Sequence, residues 1–469
     1  MELLRGLGNP AIRYQAMSSK SMRAKRMTTI ARVGSRLASQ AAWAKAQSIF
    51  TSRKPDVPPD RSREIRSTQD VARELGSMRG VMAKFGQMLS YVSTPLNAEL
   101  RESFATLQDS APPMSNELVE EVFTEEFGIL PEALFAAWDR DPIASASIGQ
   151  VHRAITHSGI AVAVKVQYPG IRETLGADLS NLRLIAKGFR FAFPAMDTDA
   201  IVEEIATRIT EELDYVNEAR NQEEFSRFYH EHPFISIPKV LQDHSTSRVL
   251  VSELGAGMRF AQLLQENQSE RDLAGETIFR FVFRSLYQLR SFNGDPHPGN
   301  YLFDGQGRVT FLDFGLTKHF APNEIELFES MIRAMVIERS PAEFRSAIAR
   351  AGLLRDDCAL DDQQIYQHFI PFYDSVLTDE EFIFNDSYTT NLFAHTFDQR
   401  APIAKYLMVS PPFVVIQRIN LGLYSILASL EARGNFRRIA EEIWPFVRGT
   451  PSTPLGALEA AWLTDRDSS

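Results

Sequence analysis

The sequence predicts an α+β fold of two lobes, a small antiparallel sheet framed by helices and then a larger, mainly helical lobe. Three observations carry this. Between Gly149 and Gln167, apolar residues alternate with others on both sides of a Thr-His-Ser-Gly turn, the period-two mark of a hairpin. Long stretches before and after it keep a three-to-four-residue apolar spacing instead. A glycine-bearing connector follows the apolar strand Arg248–Leu254, and beyond residue 320 the pattern is helical.

Bulk properties bound the rest. With 469 residues, 44% of them hydrophobic, the chain can bury a core shared between two or three subdomains. Its single cysteine, Cys358, rules out an internal disulfide framework and fits a reducing compartment. No apolar run of about 18 residues occurs, so no transmembrane helix is expected. The nearest stretch, Pro411–Leu430, is interrupted by Arg418 and Asn420 and reads as a core helix.

The net charge of −10 is uneven, because residues 1–54 hold eleven Lys or Arg against one acid, Glu2. This leader has two readings: a transit peptide or membrane-surface segment, or a solvated basic helix on an acidic body. It lacks interleaved stacking aromatics, so no nucleic-acid partner is expected.

The elements follow in order. After the Pro-rich linker Arg53–Ser62 comes a helix over Ser67–Ser93, with Val71, Leu75, Met78, Met82, Phe85 and Leu89 on one stripe. A short helix is expected from about Asn116 to Phe127. In the hairpin, Val162, Val164 and Val166 alternate, which turns Ala163 and Lys165 to the other side. Helical stretches run from about Asp197 to His230, and a further helix from about Gly275 to Phe292. Strands at about Asn300–Phe303 and Val309–Leu312 flank a Asp-Gly-Gln-Gly turn. The His-Glu-His at His230–His232 lacks further ligands at metal spacing and reads as surface.

The chemistry lies in "NGDPHPGNYLF" and "LDFG". Asp295 and Asn300 have the D-x-x-x-x-N spacing of a kinase catalytic loop, and Asp313 sits in the Asp-Phe-Gly expected downstream. Phosphoryl transfer needs a carboxylate near the attacking oxygen, which makes Asp295 the candidate base or orienter. It also needs hard oxygen ligands for Mg²⁺, and Asn300 and Asp313 are the candidates. Lys165, on the strand after the hairpin turn, stands where a kinase puts its phosphate-binding lysine. Its acidic partner is open among Glu211, Glu212, Asp214 and Glu218. Where a kinase has a glycine-rich loop, this chain has Ala144, Ser145, Ala146 and Ser147, small residues that still let backbone approach phosphates.

These motifs, with "KFGQ" at Lys84–Gln87, "VAVK" and "ELDYVNEA", resemble the UbiB/AarF family of atypical protein-kinase-like proteins over roughly residues 67–330. The resemblance implies a bilobal protein-kinase-like fold whose helical K-x-G-Q extension covers the active site. It divides the chain into a leader and linker (1–62), the K-x-G-Q extension (63–130), an N-lobe with inserted helices (131–254) and a helical C-lobe (255–469). It implies that Lys84 and Gln87 point into the cleft, that Glu218 pairs with Lys165, and that Glu212 and Asp214 form the E-x-D element engaging the covering helix. Adenine contacts are expected from the connector backbone at Glu253 and Leu254. The implied cofactors are ATP or ADP with Mg²⁺. The implied activity is an ATPase without ordinary protein-kinase activity, serving isoprenoid-quinone or lipid metabolism. Partners would be the nucleotide, anionic membrane lipid, and quinone-pathway intermediates or enzymes. The implied location is the cytoplasmic or organelle-matrix side, with peripheral membrane contact.

The chain departs from the family at Asn293, where relatives often carry His two residues before the catalytic Asp. Two other readings stay open. "GDPHPGN" also resembles the catalytic loop of aminoglycoside and choline kinases, which are small-molecule phosphotransferases. The third reading is a nucleotide-gated scaffold that hydrolyses little.

Overall fold

The computed structural model describes residues 114–145, 148–172, 206–207, 210–293, 296–396, 398, 400–408 and 411–467. The basic leader, the predicted helix Ser67–Ser93 and the aromatic stretch Phe189–Asp197 lie outside them, as do Lys84, Gln87, Ala146, Ser147 and Asp295. The chain divides into two compact units. The first is Met1–Arg153 with Lys165–Leu213, and the second is Ala154–Val164 with Asp214–Ser469.

In the first unit, helix α1 spans Asn116–Phe127, as the sequence led one to expect, and Gly128 ends it in the left-handed region at φ 72°. It buries Val119, Val122 and Phe123. Phe123 packs edge-on against Phe135 and Trp138. Strands β1 (Ala137–Trp138), β2 (Ala144–Ser145) and β3 (Gly149–Ile155) follow; β2 and β3 pair antiparallel, with Ala144 opposite Val151. Trp138 stacks on the buried His152 ring at 4.6 Å. Burial pushes the His152 pKa down, although the Asp139 carbonyl at Nδ1 works the other way. With Nδ1–H donating to that carbonyl, Nε2 accepts from the Gln150 amide, whose oxygen accepts from Met114 N–H. Strand β4 (Ala161–Gln167) buries all three valines and leaves Ala163 and Lys165 half-buried, the alternation read from the sequence.

The second unit carries the hairpin turn, where Thr156 N–H donates to Ile160 O. Helix α2 spans only Tyr215–Phe228, so the expected stretch to His230 is broken at Asp214. The carboxylate of Asp214 accepts from Asn217 N–H and caps α2, a local bond that competes with continuing the helix. Strand β5 (Ile235–Ser236) and strand β6 (Val249–Glu253) come next, and Leu254 N–H donates to Ala161 O at the start of β4. Strand β7 (Met258–Arg259) leads to helix α3 (Gln268–Arg284). That helix starts seven residues before the expected Gly275, because Asn267 caps it through Glu270 N–H. It ends in one π-turn, Ser285–Leu289, and the chain turns into strand β8 (Ser291–Asn293) where the sequence suggested helix to Phe292.

Strands β9 (Tyr301–Phe303) and β10 (Val309–Phe311) form the second hairpin. Together with β5 and β7 they make a sheet ordered β5-β10-β9-β7, in which only the β5–β10 pair is parallel. Strand β11 (Thr317–His319) pairs with β8 alone.

The helical remainder comprises α4 (Pro322–Ile332), α5 (Pro341–Arg350), α6 (Asp362–Phe369), α7 (Asp386–Thr396), α8 (Pro411–Ser429), α9 (Phe436–Ile443) and α10 (Pro454–Asp467). In the aromatic core, Phe281 of α3 stacks on Phe311 of β10 at 3.7 Å, and Phe225 of α2 lies 4.9 Å from Phe314. No helix among the described residues is long and apolar enough to cross a membrane.

The His-Glu-His reading needs correction at its last residue. His232 is buried, 4.4 Å from the Trp462 ring of α10 and edge-on to Phe234, while its Nδ1 accepts from Ile235 N–H. Charge-rich local sequence made it look solvated; a helix more than two hundred residues away covers it.

Candidate functional site

Strands β9 and β10 set the two candidate metal ligands at one end of the same hairpin. Their register sets Tyr301 opposite Phe311, and Leu312 N–H donates to Asn300 O at 3.0 Å. Asn300 therefore lies across from Leu312, next to Asp313. Ahead of Asn300, Pro298–Asn300 forms one 3₁₀ turn. His297 braces it twice: its Nδ1 accepts from Gly299 N–H at 3.1 Å, and its carbonyl accepts from Asn300 N–H at 2.9 Å.

The Asp-Phe-Gly segment is fixed by its own polar groups. Asp313 Oδ1 accepts from Gly315 N–H at 3.0 Å, a local turn that sets the carboxylate's rotamer. Asn293, at the position where relatives often carry His, donates its side-chain N–H to Asp313 O. Asn293 thus supplies a donor to the Asp-Phe-Gly backbone in this chain. Phe314 is fully buried. Glu218 on α2 is buried as well, and a Cβ added at Gly315 would lie 3.4 Å from both Glu218 Oε2 and Asp313 Oδ1. Of the four acids left open by the sequence, Glu218 is therefore the one set beside Asp-Phe-Gly. Asp214 serves as the α2 cap.

The connector after β6 approaches the same strands. Glu253 N–H donates to Lys239 O and its carboxylate accepts from Lys239 N–H, while Leu254 N–H is used by Ala161 O. Both expected N–H groups are thus spent within the protein. At Gly257, φ is 136° and a Cβ would stand 2.8 Å from Phe303 O, so only glycine fits that crossing of β9. In the first unit, Lys165 lies half-buried on β4, and Ala144 and Ser145 are exposed on β2. Gln167, two residues after Lys165, donates to Leu213 O at 2.9 Å, next to Glu212.

Sequence reading missed one support of the catalytic loop. Gly422 on α8 faces Pro296, and a Cβ there would come within 2.4 Å of Pro296 Cγ. A helix-interior glycine costs about 1 kcal/mol against alanine, so Gly422 looks like a defect until this contact is seen. Gly422→Ala should gain that propensity yet push the Pro296–Asn300 turn, at an overpacking cost of about 1–3 kcal/mol. We expect nucleotide affinity, measured by calorimetry, to fall about tenfold in this variant while far-UV circular dichroism keeps its helix content. Unchanged affinity would remove Gly422 from the site.

A glycine connector, a turn holding Asn300, an Asp-Phe-Gly braced by Glu218 and Asn293, and a strand lysine define a protein-kinase-like protein with an α+β fold. The family model for the ABC1 atypical kinase-like domain matches residues 106–343, half of the chain, and the chain belongs to that family. An uncharacterised protein of Mycobacterium tuberculosis is 32% identical over 311 residues, 65% of this chain and 63% of its own. The mitochondrial atypical kinase COQ8 of Saccharomyces cerevisiae is 28% identical over 320 residues, 67% of this chain and 64% of its own. The chain thus spans a little under two thirds of these curated relatives. Among solved structures, the complex of Rv3197 with erythromycin from M. tuberculosis is similar with a TM-score of 0.60 at 27% identity, covering 82% of this chain and 97% of that one.

Proposed function

We propose that the protein is a Mg²⁺-dependent, kinase-like ATPase that serves isoprenoid-quinone or lipid metabolism at a membrane surface. The observation that supports it most is the placement of Asn300 and Asp313 on adjacent strand ends, with Glu218 buried against the intervening Gly315. Their donor set, one amide oxygen and one carboxylate, fits a hard cation such as Mg²⁺. Asn300 and Asp313 would hold a Mg²⁺ ion, which would supply positive charge to offset charge that develops during transfer.

The chain's own residues would supply the remaining chemistry. Lys165 would pair with phosphate oxygens, and Ala144 to Ser147 would offer backbone N–H groups and hydroxyls to them. Asp295 would orient the attacking oxygen and take up its proton. Because the N–H groups of Glu253 and Leu254 are engaged, donors to the adenine edge would come from Gly255 onward, with connector carbonyls as acceptors. Lys84 and Gln87 would face this cleft from the K-x-G-Q segment, with Glu212 and Asp214 as its anchor. The basic leader, eleven cations against one acid, would favour an anionic membrane surface.

Phosphate release by the purified chain, with Mg²⁺ or EDTA and with or without anionic liposomes, tests the reading. We expect Mg²⁺-dependent turnover that rises with liposomes. Nucleotide binding without turnover in every condition would overturn the ATPase and leave the gated scaffold. Turnover only with an added small-molecule acceptor would point to the phosphotransferase.

A further inference from the structure

We propose that His319, four residues past Asp-Phe-Gly, is a positioning residue that locks Asp313 through Asn221 of α2. The proposal rests on the ATPase reading for what the lock does, but not for its existence. Asn221 follows Glu218 by three residues, so both project from one face of α2, and both are buried. Asn221 Nδ2 donates to Phe314 O at 3.1 Å. The hydroxyl of Thr317 donates to the same carbonyl at 3.0 Å, so both of its lone pairs are used.

The other end of Asn221 is held by His319, whose Nε2 lies 3.1 Å from Asn221 Oδ1. Since the amide N–H₂ is committed to Phe314 O, Oδ1 is the acceptor and His319 Nε2 carries the proton. Nδ1 sits 2.9 Å from Ser291 Oγ, the residue directly across the β8–β11 ladder. Glu224, one turn along α2 from Asn221, has a carboxylate oxygen 3.9 Å from the same nitrogen.

The result is a closed ring. Starting at α2, it passes through Asn221 to the Phe314 carbonyl, along β11 to His319, and back to Asn221. Through Ser291 the ring is tied to β8, whose Asn293 donates to Asp313 O. Turning the Phe314–Gly315 peptide would withdraw Gly315 N–H from the Asp313 carboxylate and free its rotamer, and it requires breaking two bonds to Phe314 O at once. His319 resists that motion without touching nucleotide: it prevents the Asn221 amide from rotating. Catalysis tolerates misplacement poorly, because about 1 Å at the reacting centre can cost roughly a hundredfold.

His319→Phe keeps a planar ring and removes the donor; His319→Gln restores an N–H that can reach Asn221. In the full-length chain, His319→Phe should lower kcat roughly ten- to a hundredfold. It should raise the Mg²⁺ concentration for half-maximal rate and leave KM for ATP unchanged. His319→Gln should recover most of the loss. Independently of turnover, amide hydrogen exchange in nucleotide-free protein should accelerate across 314–319 in His319→Phe, with α1 unaffected.

Unchanged exchange and kcat in His319→Phe would overturn the proposal. So would a uniform loss of melting temperature and activity that His319→Gln fails to rescue, which is the signature of a packing residue. If the wild-type chain hydrolyses no ATP, the ATPase reading fails by itself and the exchange comparison alone decides the lock.

Discussion

Asp313→Asn should abolish Mg²⁺-dependent ATP turnover, by about a thousandfold, while leaving the protein folded. The substitution preserves what Asp313 does structurally. Its amide oxygen can still accept from Gly315 N–H, and the backbone carbonyl still accepts from Asn293. It removes only the charge. On the proposed reading Asn300 would supply a neutral oxygen, so without Asp313 no carboxylate of the pair would be left for the cation. Phosphate release measures the loss, and the melting temperature should stay within about 2 °C because the Gly315 and Asn293 bonds are kept. Retained turnover would mean that Asp313 is not a metal ligand and would sink the reading given under Proposed function. Loss of turnover with loss of fold would instead trace to the Gly315 turn.

Arg280→Met should be the most destabilising single change, at about 3–5 kcal/mol. Arg280 is fully buried in α3 and bonds three carboxylates: Glu276 at 2.7 Å, Glu442 at 2.8 Å and Glu459 at 2.8 Å. Arg284 adds a second guanidinium on Glu459 at 2.9 Å. Removing Arg280 leaves three buried acids facing one cation, and charges that have lost water must then lose their partner too. The melting temperature should drop by roughly 10 °C in differential scanning calorimetry. The exposed pair Arg438–Asp379 provides the contrast. Arg438→Ala breaks the same kind of bond in water and should cost far less stability. Equal losses in the two variants would show that burial does not set the value.

The same cluster fixes a direction with pH. Burial works against ionisation of Glu459, but His232, Arg284 and Arg280 outweigh it and hold the carboxyl well below the ordinary carboxylate range. A depressed folded value means this contribution is complete above the ordinary range and is lost as pH falls through the folded value. Tethering of α10 to α3 therefore belongs to neutral pH and weakens in strong acid.

Several parts of the candidate site are legible in the sequence. Asn300 and Asp313 are recognisable as kinase-like by their local spacing, and β9 and β10 set them at one end of a hairpin; Asp295 lies outside the described residues. Lys165 is legible from the alternation of Val162, Val164 and Val166, which β4 reproduces by burying all three. Helix α1 follows from its apolar period and from the glycine that ends it. By pattern Glu218 was one acid among four; the family resemblance picked it out, and it lies buried beside Gly315.

What the sequence by itself determined, then, is the order of the elements, the α+β class, the kinase-like motifs and the charge asymmetry of the leader. All of these are local, periodic or compositional. Tertiary structure alone decided that His232 lies under Trp462, that Gly422 makes room for Pro296, and that Asn221, His319 and Asn293 hold the Asp-Phe-Gly backbone. The physical reason is common to them. Each depends on a hydrogen bond or a close approach to partners that are mostly distant in sequence, buried in the case of His232 and Asn221. Such pairings leave no period and no spacing in the chain; they exist only once the core has closed around them.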